Sequence, residues 1–366
     1  MLYLIVIFVG FIWLVSPHIS DYSSERFTNR VELRRKRYLV ASFSIIVFCA
    51  LRDPFIYPDN ISYYSAFLSD WRDVSDTYNW GYIWFNKFIA FFWKNYYFFS
   101  VICACIICGS YCKFIKDYSP YIFLSLILFI FINYYFSFFL IRQYLAMPFL
   151  LLSIRYIIKQ KFLKFIFCIA LAVSMHSTAA VFLPLYFLYQ FNYNTKNMLL
   201  VFAFTIISAA SLMAVGEFLA QFFPMYSHYM TIELEEGSAW QRAVMKVFIF
   251  FVFVYSLWKE NLFYRKGINR IIFYSMILNV VICVGAMDMF GVYRLRDYFS
   301  LADFVGVPVI LYYNRLNPKS KRFIVFSMTC LYVILLFISF VSFVNSDNMN
   351  NSYQFFWNGH PHEWSK

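Results

Sequence analysis

The stretch FIVFSMTCLYVILLFISFVSFV, Phe323–Val344, carries no charged residue and is apolar on every side. An α-helix of about 20 such residues crosses about 30 Å of hydrocarbon while satisfying all of its own backbone polar groups. Tyr121–Phe139 and Met198–Val215 are further runs of this kind. A β-barrel would instead show short segments of alternating polarity. The sequence therefore predicts helices that span a membrane.

The composition of the whole chain supports this class. Of the 366 residues, 62% are hydrophobic and 14% are charged, and the mean hydropathy is +0.62. A soluble domain is nearer half apolar and about a quarter charged. The sequence shows no repeat, no low-complexity linker and no polar stretch long enough for a second domain. We therefore expect one polytopic, all-α membrane domain over residues 1–366.

The distribution of basic residues predicts the orientation. The apolar run Leu2–Val15 has no basic region before it and no small-residue cleavage site after it, so we expect a retained first helix. The cluster Arg26–Arg37 follows, and the positive-inside rule assigns it to the cytoplasm. The formal net charge of +12 could suggest nucleic acid. The position of this cluster between two spans already explains it, so we expect no nucleic-acid partner.

The remaining basic clusters set the number of crossings. Lys and Arg are grouped at 26–37, 113–116, 155–164, 196, 259–270 and 315–322. If all six groups face the cytoplasm, an even number of crossings separates neighbouring groups. This rule allows one crossing between residues 81 and 112, at about Phe98–Phe114. Gly81–Trp93 is then expected to be an amphipathic helix that lies at the outer interface. Phe162–Tyr189 makes two crossings, with an outward turn around residues 176–178.

This topology has about twelve transmembrane helices, with both termini outside. It leaves two larger loops on the outer side, at about 52–80 and 216–241. Loops carried on a rigid scaffold are where binding and chemistry usually lie. We therefore expect the functional site at the outer face.

Several chemistries have no support in the sequence. Four cysteines, Cys103, Cys105, Cys108 and Cys112, lie in one apolar run without His or carboxylate neighbours, where cysteine behaves as a small hydrophobe. We therefore expect no metal site. The chain has no Walker A loop, HExxH, dinucleotide-binding turn or GxSxG elbow. ATP-driven transport and hydrolysis by those routes are disfavoured.

Arginines near the membrane surface are the first candidate ligand-binding residues. A charged side chain at the bilayer centre costs about 2.5–3.5 kcal/mol, so an arginine close to the membrane is expected to have a structural or functional role. Arg52 ends the second span, Arg142 begins an apolar run, and Arg294 and Arg296 lie between two apolar runs. In the threading above, all four reach the outer face. Their planar forks suit phosphate, which predicts a lipid diphosphate ligand; the alternative is snorkelling to lipid headgroups.

Proton-handling residues are the second set of candidates. His176 lies at the inferred outward turn and can act as a general base on a sugar hydroxyl. The alternative is a polar residue satisfied by hydrogen bonds between helices. Asp59 in the first outer loop is a further candidate base. The second loop offers more carboxylates, each of which is also explained as a solvated loop residue: Glu217, Glu233, Glu235 and Glu236.

Four short motifs are spread over most of the chain. They are Leu51-Arg52 followed by Asp59 and Tyr63; Ile141-Arg142-Gln143-Tyr144-Leu145-Ala146; His176-Ser177-Thr178-Ala179; and Tyr293-Arg294-Leu295-Arg296-Asp297-Tyr298-Phe299. They resemble the Arg, Gly-x-Asp, Tyr pattern, the Arg-Gln-x-x-Ala helix start, the His-Ser-x-Ala segment and the Arg-x-x-x-Tyr-Phe block of Wzy-type O-antigen polymerases. The resemblance is to the EpsG-like family in particular. Where that family has glycine, this chain has Tyr57 followed by Pro58.

The resemblance implies an inverting-type glycosyl transfer at the periplasmic face of a bacterial inner membrane. The donor would be a growing glycan on undecaprenyl diphosphate, and the acceptor one repeat unit on the same lipid. Arg142, with Arg294 or Arg296, would bind the donor diphosphate, and His176 or Asp59 would deprotonate the acceptor. The resemblance implies no metal or other cofactor, and a separate chain-length regulator as a partner.

Other functions stay open. An O-antigen ligase uses the same donor with a different acceptor, so its loss would leave no glycan on the cell surface. A lipid-linked oligosaccharide flippase is not an enzyme and would carry cations along a central cavity. A membrane O-acyltransferase would show its own Arg and His signature near the first helices, and nothing stands out there.

Overall fold

Helix is the only regular secondary structure in the part of the chain that this computed structural model describes. The described residues are 27–56, 58–74, 77–191, 207, 238–257, 267–286 and 294–344. In chain order the α-helices are α1 (Phe27–Ala50), α2 (Pro58–Leu68), α3 (Trp71–Val74), α4 (Trp80–Phe92), α5 (Tyr96–Tyr118), α6 (Ile122–Phe129), α7 (Ile141–Ile158), α8 (Phe162–Met175), α9 (Pro184–Gln190), α10 (Ser238–Leu257), α11 (Ile268–Gly285), α12 (Leu301–Phe304), α13 (Gly306–Asn314) and α14 (Lys319–Val344). The predicted all-α class is confirmed for these residues.

Five of the described helices are long and apolar enough to cross a membrane. They are Tyr96–Tyr118, Ile141–Ile158, Trp240–Leu257, Ile268–Gly285 and Lys319–Ser342. The crossing predicted at about Phe98–Phe114 lies within the first of these, and most of Phe323–Val344 lies within the last. Leu2–Val15 and nearly all of Met198–Val215 lie outside the described residues. The total of about twelve crossings therefore stays a prediction.

Helix α4 has the two faces expected of an amphipathic helix. Gly81, Tyr82 and Ile89 are buried against the rest of the protein. The opposite face exposes large aromatic side chains, namely Trp80, Trp84, Phe88, Phe91 and Phe92. Aromatic rings of this kind favour the boundary between lipid and water. The helix is present as predicted, and its place at the outer interface stays a prediction.

The predicted span Tyr121–Phe139 is not one regular helix. Helix α6 ends at Phe129, a π-helical turn covers Ile130–Tyr134, and a 3₁₀ turn covers Phe136–Phe138. Polar side chains explain the interruption, because they bond to neighbouring elements. Tyr134 donates to the Ile45 carbonyl oxygen at 2.7 Å, and the Asn133 side chain donates to the Tyr144 hydroxyl at 3.2 Å. Turns with wider helical geometry are frequent near functional sites.

Helix packing brings distant segments to one place. Helices α7 and α8 form a hairpin, α5 packs on α7, and α10 packs on both α11 and α14. The predicted first outer loop, 52–80, contains the short helices α2 and α3. It is tied to the turn before α7 by Asn60, whose side chain donates to the Phe138 carbonyl oxygen at 3.0 Å. Most of the second predicted loop, 216–241, and all four of its glutamates lie outside the described residues.

Candidate functional site

Arg142 lies in the first turn of α7, with its guanidinium over two neighbouring tyrosine rings. Its central carbon is 4.7 Å from the Tyr78 ring centroid and 5.6 Å from that of Tyr63. A cation over an aromatic face gains about 0.5–2 kcal/mol. Tyr63 belongs to α2 and Tyr78 precedes α4. Arg142 therefore joins the first predicted outer loop to the start of α7.

The two tyrosines belong to a cluster that the protein holds in place. Tyr82, which is fully buried, packs its ring 5.9 Å from Tyr63 and 5.7 Å from Tyr78. The Tyr78 hydroxyl donates to the Ser62 carbonyl oxygen at 3.1 Å. Fixed rings fix the guanidinium that lies over them. The orientation of Arg142 is thus set before any ligand arrives.

Asp59 lies one helical turn before Tyr63, in the first turn of α2. Burial raises the pKa of the Tyr63 hydroxyl, the Arg142 charge opposes that shift, and the Asp59 carboxylate adds to it. The same two charges act on the pKa of Tyr78, which burial also raises. Asp59 and Arg142 therefore share one electrostatic neighbourhood. Asp59, the candidate base in the first predicted outer loop, therefore lies near Arg142.

His176 marks the break after α8. Its backbone is extended, with φ −152° and ψ 116°, and a 3₁₀ turn, Ser177–Phe182, follows. The helix therefore breaks where the outward turn was predicted. Within the described part of the chain, the Nδ1 atom of His176 is buried and has no hydrogen-bond partner. Burial first, then the charges of Arg142 and Arg294, lower the pKa of His176 to about 3. The imidazole is therefore neutral at pH 7.

The segment Arg294–Phe299 is fastened to both of these elements. The Gln143 side chain in α7 donates to the Arg294 carbonyl oxygen at 3.1 Å. The Phe299 ring stacks on Phe182, with 5.5 Å between centroids. Three segments far apart in sequence thus meet through bonds next to Arg142, His176 and Arg294. The structure brings these three predicted residues together.

Helix α4 reaches the same region through a very close backbone approach. A Cβ atom placed on Gly81 would lie 2.7 Å from the Ser174 Cβ and 2.8 Å from its carbonyl oxygen. Both distances are shorter than any normal contact, so glycine is required if α4 is to lie against α8. Ser174 is two residues before His176, and Gly81 is next to Tyr82. The contact therefore sets the tyrosine cluster relative to the histidine.

Arg52, the fourth predicted arginine, is buried and engaged by the protein itself. It donates to the carbonyl oxygens of Cys49 and Phe138, the latter at 3.4 Å, and its guanidinium lies 5.1 Å from the Phe138 ring centroid. These contacts join the end of α1 to the turn before α7, which gives Arg52 a structural role. Its predicted contact with a diphosphate stays a prediction.

Arg296 lies apart from Arg294 and lines a cavity of about 60 Å³. The two arginines share one 3₁₀ helix, Arg294–Phe299. Such a helix has three residues per turn, so side chains two positions apart project about 120° apart around its axis. Arg294 acts on His176, whereas Arg296 contacts Asp297, with 3.5 Å between Nε and Oδ1. The predicted arginine group therefore divides between two places.

Some residues of these two places were not among the predicted site residues. Tyr78 and Tyr82 are in the first, and Lys246 and Asp303 are in the second, with 2.5 Å between Nζ and Oδ2. Tyrosines in an aromatic-rich chain give no signal of their own. Lys246 and Asp303 do stand out in the sequence, because each is a charged residue inside an apolar run. The cost of burying charge in a membrane could have identified both.

Comparison with known proteins identifies a family. A family model described as the EpsG family matches residues 36–356 of the chain. No curated protein and no solved structure gives a significant match. The matched range contains the tyrosine cluster, His176 and both arginine sites. It covers well over half of the sequence, and the chain therefore belongs to the EpsG family.

Proposed function

We propose that this protein is a polysaccharide polymerase that transfers a growing glycan from undecaprenyl diphosphate to a lipid-linked repeat unit, at the periplasmic face of the inner membrane. Membership of the EpsG family implies a polysaccharide polymerase-like function. The observation that supports the finer proposal is that hydrogen bonds from Gln143 to the Arg294 carbonyl oxygen and between Thr178 and Tyr298 bring the segments of Arg142, His176 and Arg294 together. Fixed cations beside a proton acceptor are what this transfer requires.

The arginines bind the donor diphosphate. During transfer the acceptor oxygen bonds to the anomeric carbon, and the bond from that carbon to the phosphate oxygen breaks. The lipid diphosphate leaves with the electron pair, so negative charge grows on it. Arg142 and Arg294 stabilise that charge, and donors that are already oriented do so without reorganisation. The rings of Tyr63 and Tyr78 supply the orientation of Arg142.

His176 takes the proton of the acceptor hydroxyl. With a pKa of about 3, His176 is a weak base. A bound diphosphate opposes the two arginine charges, so it raises the pKa of His176 towards the ordinary value of about 6.5. The base therefore becomes effective when the donor is present. Asp59 beside Tyr63 is the alternative proton acceptor.

The test is a gel of the surface lipopolysaccharide or capsule from a strain that lacks this protein. The strain is complemented with wild type, His176→Ala, Arg142→Lys, or Arg155→Lys as a control. Arg155 lies in the last turn of α7 and is exposed. Arg142→Lys keeps the charge and loses the bidentate fork. We expect the ladder to collapse to core plus one repeat in the deletion strain, and to return with wild type and Arg155→Lys only.

Each other outcome has a definite meaning. A deletion strain with a full ladder would contradict the proposal. Bare core without any repeat would point to a ligase or a flippase. A full ladder with Arg142→Lys at normal protein level would remove bidentate diphosphate binding from the mechanism. A full ladder with His176→Ala would leave Asp59 as the proton acceptor.

A further inference from the structure

The cavity of about 60 Å³ that Arg296 lines has both polar and apolar walls. Its polar lining includes Asn279 of α11, Asp297 of the 3₁₀ helix Arg294–Phe299, and Ser300, which follows that helix. Asp297 and Ser300 therefore belong to the same short segment as Arg294 of the proposed donor site. A ligand in the cavity lies next to that segment.

Both carboxylates in the lining are paired with cations of the protein. Lys246 Nζ lies 2.5 Å from Asp303 Oδ2, and the Tyr332 hydroxyl donates to Asp303 Oδ1 at 2.5 Å. Arg296 Nε lies 3.5 Å from Asp297 Oδ1. A buried charge is costly unless it is paired, and these pairs meet that need inside the protein. A neutral ligand therefore fits this arrangement of charges.

The polar groups of the lining offer hydrogen bonds in both directions. The Asn279 oxygen accepts from Cys283 Sγ at 3.3 Å, and that bond uses neither hydrogen of the Asn279 amide. The Ser300 hydroxyl donates to the Asp297 carbonyl oxygen at 2.7 Å, so the Ser300 oxygen keeps lone pairs that accept. The Asp297 carboxylate has acceptor capacity beyond its contact with Arg296. A ligand that both donates and accepts, as a hydroxyl group does, matches this set.

Another part of the lining is aromatic. Phe131 and Phe340 line the cavity with 5.4 Å between their ring centroids, and Phe136 lines it as well. Pockets for small organic molecules combine apolar surface of this kind with a few placed polar groups. A sugar ring has hydroxyl groups around its edge and C–H groups on its faces. The two kinds of lining therefore match the two kinds of surface on a sugar.

The size of the cavity limits the ligand. At about 10–15 Å³ for each water position, 60 Å³ corresponds to about four to six waters. At about 30 Å³ of liquid for each water, that is about 120–180 Å³, which is the scale of one sugar ring. A longer oligosaccharide does not fit. The cavity therefore takes a single ring, and the rest of a glycan stays outside it.

Three helices line the cavity with the same end. Asn279 lies in the second half of α11 and Phe340 in the second half of α14, away from the basic clusters at 259–270 and 315–322. Lys246 lies in the first half of α10, away from the cluster at 259–270. The predicted topology assigns both clusters to the cytoplasm, so the cavity belongs to the outer half of these helices. This is the side on which the proposed function has the glycan polymerised.

We propose that this cavity is a sugar subsite, which holds one neutral sugar ring of the lipid-linked repeat unit through Asn279, Asp297 and Ser300 and the rings of Phe131 and Phe340. This inference rests on the proposed function, from which it takes the substrate class. Residues 294–300 form part of the wall and also carry Arg294. Recognition of the sugar and binding of the diphosphate are thus joined through one short segment. The subsite therefore helps to determine which repeat unit the protein accepts.

The test compares two lipids that differ only in their sugars. Purified protein in phosphatidylcholine nanodiscs is titrated with the lipid-linked repeat unit, extracted from the strain that lacks this protein, and separately with undecaprenyl diphosphate. Native mass spectrometry gives both affinities. Asn279→Leu removes the amide at nearly constant volume and should weaken binding of the repeat-unit lipid about three- to tenfold. Its affinity for undecaprenyl diphosphate should be unchanged, because the cavity contacts the sugar alone.

A second variant changes the same cavity from another helix. Ser339→Phe in α14 adds a ring at the wall and should weaken binding of the repeat-unit lipid at least about tenfold, again without effect on undecaprenyl diphosphate. Ser327→Phe is the matched control, because Ser327 is exposed on the same helix and is not part of the lining. It should leave both affinities unchanged. Unchanged binding of the sugar-free lipid shows in each case that the variant is folded.

Three outcomes would overturn the proposal. In the first, Asn279→Leu and Ser339→Phe both bind the repeat-unit lipid as tightly as wild type does. In the second, each variant loses the same affinity for the two lipids, so the cavity does not act on the sugar. In the third, wild type binds the two lipids equally tightly, so the sugar contributes nothing to binding.

Failure of this inference and failure of the proposed function give different results. A full polysaccharide ladder in the deletion strain, together with sugar-dependent binding that Asn279→Leu weakens, would reject the polymerase and keep the subsite. A collapsed ladder that wild type restores, together with unchanged binding in both cavity variants, would keep the polymerase and reject the subsite.

Discussion

The side chains of Thr178 and Tyr298 bond to each other across 120 positions of the sequence, with 2.8 Å between their oxygen atoms. Thr178 lies two residues after His176, and Tyr298 lies four residues after Arg294. The bond therefore holds the segment of His176 against the segment of Arg294. Phe182 and Phe299 stack beside it. The distance from His176 to Arg294 depends on this small polar and aromatic contact.

Removal of the Thr178–Tyr298 bond should lower activity more than stability. Tyr298→Phe keeps the buried ring and loses the hydroxyl, which costs about 0.5–1.5 kcal/mol. We expect shorter polymer at a nearly unchanged unfolding temperature. Thr178→Val should act alike, and the double variant should be no worse than either single one. If the activity losses of the two single variants add up in the double variant, loss of the Thr178–Tyr298 bond is not their common cause.

The approach of α4 to α8 makes a prediction about two glycines. Gly81→Ala places a methyl group against Ser174, including its backbone oxygen, so we expect a loss of about 1–3 kcal/mol from strain. Gly109→Ala in α5 has no atom within 4 Å of the new methyl group and should be neutral or slightly stabilising. Thermal unfolding in detergent compares the two. Equal unfolding temperatures would mean that α4 can move away from α8 at no cost.

The pKa of His176 predicts how stability changes with pH. It is about 3 in the folded protein and about 6.5 in the unfolded chain. Between these values the unfolded chain binds a proton that the folded chain excludes, so stability is lost as pH falls from about 6.5 towards 3. Between pH 7 and pH 4, the unfolding temperature of the wild type should therefore fall further than that of His176→Asn. Parallel losses would contradict the assigned pKa.

The buried ion pair Lys246–Asp303 makes the fourth prediction. Lys246→Met leaves the Asp303 carboxylate buried beside Tyr332 without its cation, which costs about 3–5 kcal/mol. Lys246→Met with Asp303→Asn removes both charges and should recover most of that loss. Unfolding temperatures of the two variants give the comparison. A double variant as unstable as the single one would show that packing of the lysine stem is what matters.

The apolar run Phe323–Val344 predicted a long apolar helix, because length and composition alone decide whether a helix can span. The run Tyr121–Phe139 did not predict the interruption at Ile130–Tyr134. That turn depends on bonds from Asn133 and Tyr134 to residues far away in the chain. A hydrophobicity pattern contains no information about such partners.

The sequence offered candidate site residues, and the structure shows which of them lie together. Arg142, His176 and Arg294 were chosen for their chemistry, and the fold brings them together. The division between Arg294 and Arg296 could not be foreseen, since it depends on what each side chain contacts in the fold. Arg52 resembled the other arginines in the sequence, but its guanidinium donates hydrogen bonds to backbone carbonyl oxygens. Which atoms an arginine contacts is decided by tertiary structure.

The rings that hold Arg142 have a consequence for the thermodynamics of donor binding. Within the described residues, this guanidinium is positioned by Tyr63 and Tyr78 and makes no ion pair with a carboxylate. An arginine clamped by an acid must give up one anion to take another, so its binding reaction is an exchange. Arg142 gives up none, because a π face orients a cation without neutralising it. In the proposed function, association of the diphosphate at Arg142 is therefore a simple addition, and the full attraction between the guanidinium and the diphosphate contributes to affinity.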